Sequence, residues 1–212
     1  MKDTNSYYDF EIDAERLITD SGNVDEYFYL QDLKQRKLFL NGEIDQFVVS
    51  DLVRHILQYN REDTGLDVDK RAPITLYVAS NGGEVDPGFE LIDVIMNSKT
   101  PVYTVNFGFQ YSMGFLIGLA GHKRFATKNA KVLMHDGSQF IYDSGTKVQD
   151  RMEFQRKIED RVKNYIISRS NLTEDEYNSK LRVEWYLFAD EAKEKGFVDY
   201  IIGEDCDLDT VI

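Results

Sequence analysis

The chain has 212 residues, a length that fits one domain with a sizeable hydrophobic core. Its 38 acidic and 25 basic residues give a net charge of −13, which disfavours nucleic acid or an anionic membrane surface as the main partner. Hydrophobic residues make up 42% of the sequence and exclude a wholly disordered chain. The longest apolar run, 113–120, is too short to span a bilayer. We therefore expect a soluble, cytoplasmic protein.

Cysteine and histidine are scarce. The single cysteine, Cys206, permits no internal disulfide, so nothing indicates an oxidising compartment. Its acidic neighbours make it a poor nucleophile. The three histidines, His55, His122 and His135, lack the paired spacing that is typical of a metal site. We expect no metal and no other cofactor.

The first part of the chain predicts an arm followed by alternating strands and helices. Residues 1–26 are acidic, rich in Tyr and Asp and without periodicity, which indicates an N-terminal acidic arm or axial segment. Residues 37–42 predict the first core strand, and apolar residues between Phe47 and Leu57 recur at helical spacing. The charged stretch 61–71 predicts a loop.

The middle of the chain continues this alternation. Residues 74–78 predict a buried strand that leads into Ser80-Asn81-Gly82-Gly83, and a helix follows. Residues 101–107 predict the next strand and 112–120 the next helix, before a strand that ends at Val132-Leu133-Met134-His135. This order predicts an α/β protein with a mainly parallel sheet, whose ligands bind at the carboxyl ends of the strands.

Beyond this strand the pattern changes. Residues 137–145 are extended and polar-aromatic, and apolar residues between Val148 and Ile166 mark a long amphipathic helix. Thr173 and Glu176 form a capping box for a short helix. A further short helix that ends at Gly196, and a strand over 197–202, are predicted to complete the fold.

Three features of the alternating region point to one acyl-transfer site. Ser112 opens a helix rich in small residues, where the helix dipole and free N–H groups favour developing negative charge. Gly82 and Gly83 follow a strand and carry no Cβ that would block a backbone N–H from a cleft. His135 follows a later strand and offers a general base. Hydrolysis by a catalytic serine requires that nucleophile, an oxyanion hole and a general base.

Each feature also has a purely structural interpretation. Serine is a common helix N-cap, and paired glycines form tight turns. A histidine at a strand end is often a core residue with satisfied hydrogen bonds. The order of the features on alternating strands and helices favours the catalytic interpretation.

A set of short motifs runs in order from about Lys37 to Ile202. The motifs are Phe39-Leu40-Asn41-Gly42-Glu43-Ile44-Asp45, Leu76-Tyr77-Val78-Ala79-Ser80-Asn81-Gly82-Gly83, Tyr111-Ser112-Met113-Gly114, Leu133-Met134-His135, Ala189-Asp190-Glu191-Ala192 and Gly196-Phe197-Val198-Asp199. In this order and at these spacings, the set resembles the proteolytic subunit of the Clp protease.

The resemblance implies a Clp/crotonase-type fold of repeated β-β-α units with a mainly parallel sheet and an extended handle made of a strand and a long helix. It implies an α/β head over 27–136 and 182–203 and a handle over 137–181. The residues that follow, 204–212, are predicted from their composition to form an acidic tail. It also implies a homo-oligomer of two stacked heptameric rings that enclose a chamber. A hexameric Clp-type ATPase would feed polypeptide substrates into that chamber.

The same resemblance implies the site residues. Ser112 falls on the nucleophile and His135 on the base of a Ser-His-acid triad. The backbone N–H groups of Gly83 and Met113 fall on the oxyanion hole. The residues that the resemblance places along the substrate are Gly82, Gly137 and Ser138.

The acid of the triad departs from the family pattern, because Glu184 stands where the family has an aspartate. A glutamate keeps the charge that orients the imidazole and adds one methylene of reach. The alternatives are a surface glutamate with no catalytic role, and Asp190 or Asp136 as the acid. Asp136 adjoins His135 and on a strand would point to the opposite face.

Other departures concern the surroundings of the site. Asn81 replaces the usual proline before the glycine pair, and Asp136-Gly137 replaces the usual Gln-Pro. Thr75 replaces an aromatic residue of the family's ATPase-docking pocket, whereas Tyr77 keeps its neighbour. The altered acid and arm also fit a non-catalytic Clp-like subunit that assembles with active paralogues. A crotonase-type acyl-CoA enzyme shares the fold, but it needs no serine and binds an anionic CoA, which the acidic composition disfavours.

Overall fold

The computed structural model describes residues 24–137 and 144–212. Its helices are α1 (Val24–Lys34), α2 (Gln46–Glu62), α3 (Val85–Asn97), α4 (Met113–Leu119), α5 (Gly145–Ser168), α6 (Glu174–Lys180) and α7 (Ala189–Glu194). Its strands are β1 (Lys37–Ile44), β2 (Ile74–Gly83), β3 (Val102–Asn106), β4 (Phe109–Tyr111), β5 (Lys123–Thr127), β6 (Lys131–Met134), β7 (Trp185–Phe188) and β8 (Tyr200–Ile202). Of the described residues, 24–37 belong to one unit and those from Leu38 onward to a second, which contains the site described below.

β2 is the central strand of the sheet. The strand order is β7-β6-β4-β2-β3-β5-β8, and β1 pairs with β2 in addition. The first half of β2 runs parallel to β3, with Ile74 opposite Val102. Near the end of β2, Ser80 lies opposite Gln110 of β4. Because β2, β4 and β6 are parallel, their carboxyl ends lie at one edge of the sheet. The predicted α/β architecture with a mainly parallel sheet is confirmed.

Glycines let α4 lie close to the sheet. Every residue of α4 is buried. A Cβ on Gly114 would lie 3.0 Å from the Cβ of Ser80, and one on Gly118 would lie 2.1 Å from Oε1 of Gln110. A larger residue at either position would push the helix away from β2 and β4. The small residues in this helix therefore determine where its N-terminus lies.

Some predicted elements differ from the structure in extent or burial. α2 is present, but Phe47 is 87% exposed, and the residues buried on this helix are Val49, Leu52, Ile56 and Tyr59. α5 is present, and Ile166 is its buried residue. The last strand begins at Tyr200 rather than at residue 197. The side chain of Thr173 accepts a hydrogen bond from the N–H of Glu176 at 3.2 Å, as expected for the N-cap of α6.

The sequence patterns did not predict α1, β4, β5 or β7. β4 has three residues and β7 has four, too few for a periodic signal. Of the predicted acidic arm, residues 24–26 begin α1 and the others lie outside the described residues. The division into head, handle and tail stays a prediction. Within the described ranges, no helix combines the length and the hydropathy needed to cross a membrane.

Candidate active site

Ser112 lies at a sharp turn between β4 and α4. Its φ of 54° and ψ of −122° are a backbone conformation that residues other than glycine rarely adopt. The N–H of Ser112 donates a hydrogen bond to the carbonyl of Leu133 at 3.1 Å, which holds the turn against β6. The side chain of Ser112 makes no capping hydrogen bond to α4. Ser112 is therefore not held as a conventional N-cap.

Gly82 lies directly against Ser112. A Cβ on Gly82 would approach the Cβ of Ser112 to 2.8 Å and its Oγ to 3.2 Å. The φ of Gly82 is +109°, which also favours glycine. Gly82 is buried and does not belong to the wall of the cavity described below. Its substrate-binding role stays a prediction, and its contact with Ser112 indicates a role in positioning.

If Ser112 is the nucleophile that the motifs imply, Gly82→Ala is expected to reduce cleavage of a peptide by roughly tenfold or more, because the new methyl group must displace Ser112 and strain the backbone. Steady-state cleavage of a fluorogenic peptide measures this effect. Gly108→Ala is the matched control, since a Cβ there meets nothing within 4 Å. Equal activity of the two variants would contradict the positioning role of Gly82.

His135 and Glu184 face each other across an antiparallel strand pair. Met134 of β6 lies opposite Trp185 of β7. Continuing this register by one residue places His135 opposite Glu184. Nδ1 of His135 lies 2.9 Å from Oε1 of Glu184, within hydrogen-bonding distance. The Glu184 side chain is 59% exposed, whereas that of His135 is largely buried.

Two tyrosines extend this contact towards the serine turn. The hydroxyl of Tyr186 lies 3.5 Å from Oε2 of Glu184, a long hydrogen bond. Lost hydration and the charge of Glu184 raise the pKa of Tyr186, so its hydroxyl stays protonated as a donor at neutral pH. The ring of Tyr186 meets that of Tyr111 edge-on, with centroids 5.6 Å apart. Sequence reasoning missed both, although each lies within two residues of a predicted site residue.

The second imidazole nitrogen of His135 faces a different environment. Nε2 is buried and has no hydrogen-bond partner among the residues that the structure describes. The hydroxyl of Ser112 is therefore not hydrogen-bonded to Nε2 in this arrangement. General-base catalysis requires a separation of about 2.6–3.2 Å, which often forms only when substrate binds. Catalysis by this pair would therefore require a side-chain rotation of Ser112 or a shift of the imidazole.

Ser112 and His135 line one cavity of about 530 Å³. Gly83, Met113 and Gly137 also line it. Met113 is the first residue of α4, where an N–H has no acceptor within its own helix. Gly83 packs so closely on β1 that a Cβ would lie 2.3 Å from the carbonyl oxygen of Ile44. The two predicted oxyanion-hole residues thus share the cavity with the predicted nucleophile and base.

Part of the cavity wall comes from α5 and α6. Its residues include Ile158, Val162 and Lys163 of α5 and Tyr177 of α6. Burial, followed by the charges of Glu159 and Asp136, raises the pKa of Tyr177, so its hydroxyl stays neutral at physiological pH. The motifs gave no signal for this wall, because its residues are far from Ser112 in the sequence.

One alternative acid, Asp136, lines the same cavity, whereas Asp190, His55 and His122 do not. Asp136 is exposed at the cavity wall. Asp190 is exposed on α7, where its charge acts on Lys128. His55 pairs with Asp51 on α2 at 3.7 Å, and Nδ1 of His122 accepts the N–H of Val102 at 3.1 Å.

Ser138, a predicted substrate-binding residue, lies outside the described residues. Across the described ranges, no three His, Cys, Asp or Glu side chains are grouped so that they would hold a metal.

A serine, a histidine and a carboxylate at the ends of neighbouring strands in an α/β fold are typical of serine hydrolases. The model of the Clp protease family matches residues 21–205, and the chain belongs to this family. The chain is similar to the ATP-dependent Clp protease proteolytic subunit 2 of Treponema pallidum (strain Nichols). The two are 30% identical over 195 residues, which cover 91% of this chain and 94% of the relative. The resemblance found in the motifs is confirmed.

Proposed function

We propose that this chain is a serine endopeptidase that cleaves unfolded polypeptides or peptides inside an oligomeric chamber. The observation that carries the proposal is the 2.9 Å contact between His135 and Glu184, in a cavity that Ser112 also lines. Membership of the Clp protease family supports a peptidase over an acyl-CoA enzyme.

The proposed mechanism begins at the imidazole. Nδ1 carries the proton and donates a hydrogen bond to the Glu184 carboxylate, which leaves Nε2 as the base. Oγ of Ser112 attacks the scissile carbonyl carbon while Nε2 takes the hydroxyl proton. The same proton then passes from Nε2 to the leaving amine as the C–N bond breaks. Water, deprotonated by Nε2, hydrolyses the acyl-enzyme and restores Ser112.

Backbone N–H groups stabilise the intermediate in this mechanism. The carbonyl oxygen becomes negatively charged as Oγ attacks, and the N–H groups of Gly83 and Met113 donate to it. The N-terminus of α4 adds the positive end of a helix dipole at this point. Gly137 and Ser138 are proposed to bind the substrate backbone beside the cavity.

Assembly is part of the proposal. α5 exposes large apolar residues such as Met152 and Phe154. Exposed apolar side chains that lie close together on a surface are typical of an interface. We assign this helix to contacts between copies of the chain, in two stacked heptameric rings. The relative from Treponema pallidum is named as the subunit of an ATP-dependent protease, so a hexameric Clp-type ATPase is the proposed partner. The proposed function involves neither nucleic acid nor a membrane.

Cleavage of an unfolded, fluorescently labelled polypeptide tests the proposal. The assembled chain is expected to produce fragments in the presence of a chelator, because the proposed mechanism uses no metal. His135→Ala is expected to abolish the fragments, whereas His55→Ala, which changes a histidine on α2, is expected to leave them. Cleavage that survives His135→Ala would overturn the assignment of the base.

A non-catalytic subunit is the second candidate. The absence of a hydrogen bond to Nε2 among the described residues favours it, because a base that never comes within reach of the serine hydroxyl cannot activate it. In that case the assembled chain alone would cleave nothing, and it would co-purify with a second Clp-like chain that restores activity. Fragments from the chain alone would exclude this candidate.

A further inference from the structure

Side chains from another helix satisfy the carbonyl groups at the C-terminal end of α4. The last four carbonyl groups of an α-helix have no N–H partner within the helix. The hydroxyl of Tyr165 donates a hydrogen bond to the carbonyl of Leu116 at 2.9 Å. The guanidinium of Arg169 donates to the carbonyls of residues 119–121 at 3.2, 3.3 and 2.6 Å. Tyr165 and Arg169 therefore form a clamp on the end of α4 that lies opposite Ser112.

Both side chains of the clamp come from one face of α5. Tyr165 and Arg169 are four residues apart, so their side chains lie one above the other. The preceding turns of the same helix line the cavity through Ile158 and Val162. α5 therefore contacts the cavity with one part of its length and the far end of α4 with the next.

The clamp keeps its hydrogen bonds at neutral pH and is itself anchored. Burial raises the pKa of Tyr165, so its hydroxyl stays protonated and donates. The guanidinium of Arg169 is always charged, and a cation is favoured at the negative end of a helix dipole. The carbonyl of Arg169 accepts a hydrogen bond from Arg124 at 2.7 Å, and Arg124 is paired with Asp199. The backbone that carries the clamp is thus fixed to the sheet.

The position of α4 along its axis determines where Ser112 lies. The helix has seven residues and is only about 10 Å long, so a shift at its C-terminal end also moves its N-terminal end. Close contact with the sheet at Gly114 and Gly118 limits movement across the axis. The hydrogen bonds of the clamp limit movement along it. A displacement of about 1 Å at a catalytic group can lower a rate by about a hundredfold.

We propose that Tyr165 and Arg169 are positioning residues, which fix α4 along its axis and thereby set where Oγ of Ser112 and the N–H of Met113 lie. Neither side chain lines the cavity that holds Ser112, so both act through the helix. Because neither meets the substrate, their loss is expected to lower kcat and to leave KM nearly unchanged. The effect on cleavage rests on the proposed function, whereas the clamp itself does not.

Hydrogen–deuterium exchange, read by mass spectrometry on the peptide that spans α4, tests the clamp. Tyr165→Phe removes only the hydroxyl and is expected to speed exchange in this peptide by about threefold to tenfold, because a hydrogen bond that resists local opening is lost. Exchange in the peptide that spans α2 is expected to stay the same. Tyr103→Phe is the matched control, since it removes a hydroxyl from the face of the sheet away from α4. Unchanged exchange in α4, or an equal increase in α2, would overturn the clamp.

Arg169→Gln tests the link between the clamp and catalysis. It is expected to lower kcat for a fluorogenic peptide by roughly tenfold or more, with KM within about twofold. Arg169→Lys keeps the charge but loses the forked donor, and its kcat is expected to be intermediate. Arg54→Gln removes an exposed arginine from α2 and is the matched control, for which both constants are expected to stay within about twofold. Equal kcat values for Arg169→Gln and the unsubstituted chain would overturn the positioning role.

Labelling with a serine-reactive fluorophosphonate separates positioning from a loss of folded protein. In Arg169→Gln the final fraction of labelled chains is expected to match that of the unsubstituted chain, while the rate constant of labelling falls with kcat. A smaller labelled fraction with an unchanged kcat per labelled chain would show a purely structural role and overturn the proposal.

Tyr165→Phe gives the same test if Arg169→Gln does not fold. Its kcat and its rate constant of labelling are both expected to fall by about threefold to tenfold. An unsubstituted chain that neither cleaves peptide nor becomes labelled would contradict the proposed function, and the exchange measurement would still decide whether the clamp holds α4.

Discussion

Ser112→Ala is expected to lower the rate of peptide cleavage by more than about a thousandfold. In the proposed mechanism only Oγ of Ser112 can form the acyl-enzyme, and the oxyanion hole that remains gives only a small residual rate. Turnover of a fluorogenic peptide by the purified variant measures the loss. Size-exclusion chromatography is expected to show unchanged assembly, because the substitution removes a single oxygen whose loss breaks no capping bond to α4.

Ser179→Ala is the matched control for this substitution. Ser179 lies exposed on α6, and its hydroxyl donates a local hydrogen bond to the carbonyl of Glu176 at 2.7 Å. Its replacement is expected to leave turnover within about twofold of the unsubstituted chain. Full activity of the Ser112→Ala variant would refute the assignment of Ser112 as the nucleophile.

Glu184→Gln is expected to reduce kcat by about a hundredfold to ten-thousandfold. Glutamine keeps the size of the side chain but loses the charge that stabilises the protonated imidazole and selects the tautomer with Nδ1 protonated. The thermal unfolding midpoint is expected to change little, because even a charged contact as exposed as this one contributes only about 0–1 kcal/mol to stability. Peptide turnover and thermal unfolding of the same preparation separate a catalytic role from a structural one.

Glu184→Asp extends this test, because the shorter side chain falls about one methylene short of Nδ1. We expect activity between that of Glu184→Gln and that of the unsubstituted chain. Asp136→Asn and Asp190→Asn are the controls for the alternative acids, and both are expected to retain most of the activity. Loss of activity in Asp136→Asn together with full activity in Glu184→Gln would show that Asp136, not Glu184, is the acid of the triad.

The parallel α/β fold and the positions of Ser112 and His135 were predictable from the sequence for a physical reason. Buried parallel strands read as short apolar runs, and glycine or serine follows where such strands end. His135 adjoins such a run, whereas Ser112 follows β4, whose three residues give no strand signal. The parallel pairing of β4 with β6 brings the two residues to one edge. Their shared cavity agrees with that expectation.

The pairing of His135 with Glu184 was not predictable from local pattern. It depends on β7, a four-residue strand with mixed burial that runs antiparallel to β6. Glu184 was predicted from the resemblance to the family, and the strand register supplies the physical reason for its position. The strained backbone conformation of Ser112 was equally unpredictable from the sequence, because a serine at the start of a helix is ordinarily an N-cap.

The sequence patterns also could not predict which apolar residues outside the central sheet are buried and which are exposed. Helical periodicity indicates an apolar face but not what covers it, so the exposed apolar residues of α5 could not be separated from core residues. The reverse holds for Val211, which lies in a short polar, acidic stretch and yet is buried on Tyr77.

Intact-mass spectrometry after treatment with a serine-reactive fluorophosphonate tests the central claim most directly, with Ser112→Ala as the comparison. The proposed site predicts one adduct per chain, present in the assembled unsubstituted protein and absent from the variant, because only a serine activated by a neighbouring base reacts readily. An adduct that persists in Ser112→Ala, or no adduct on correctly assembled protein, would contradict the claim that Ser112 is the nucleophile.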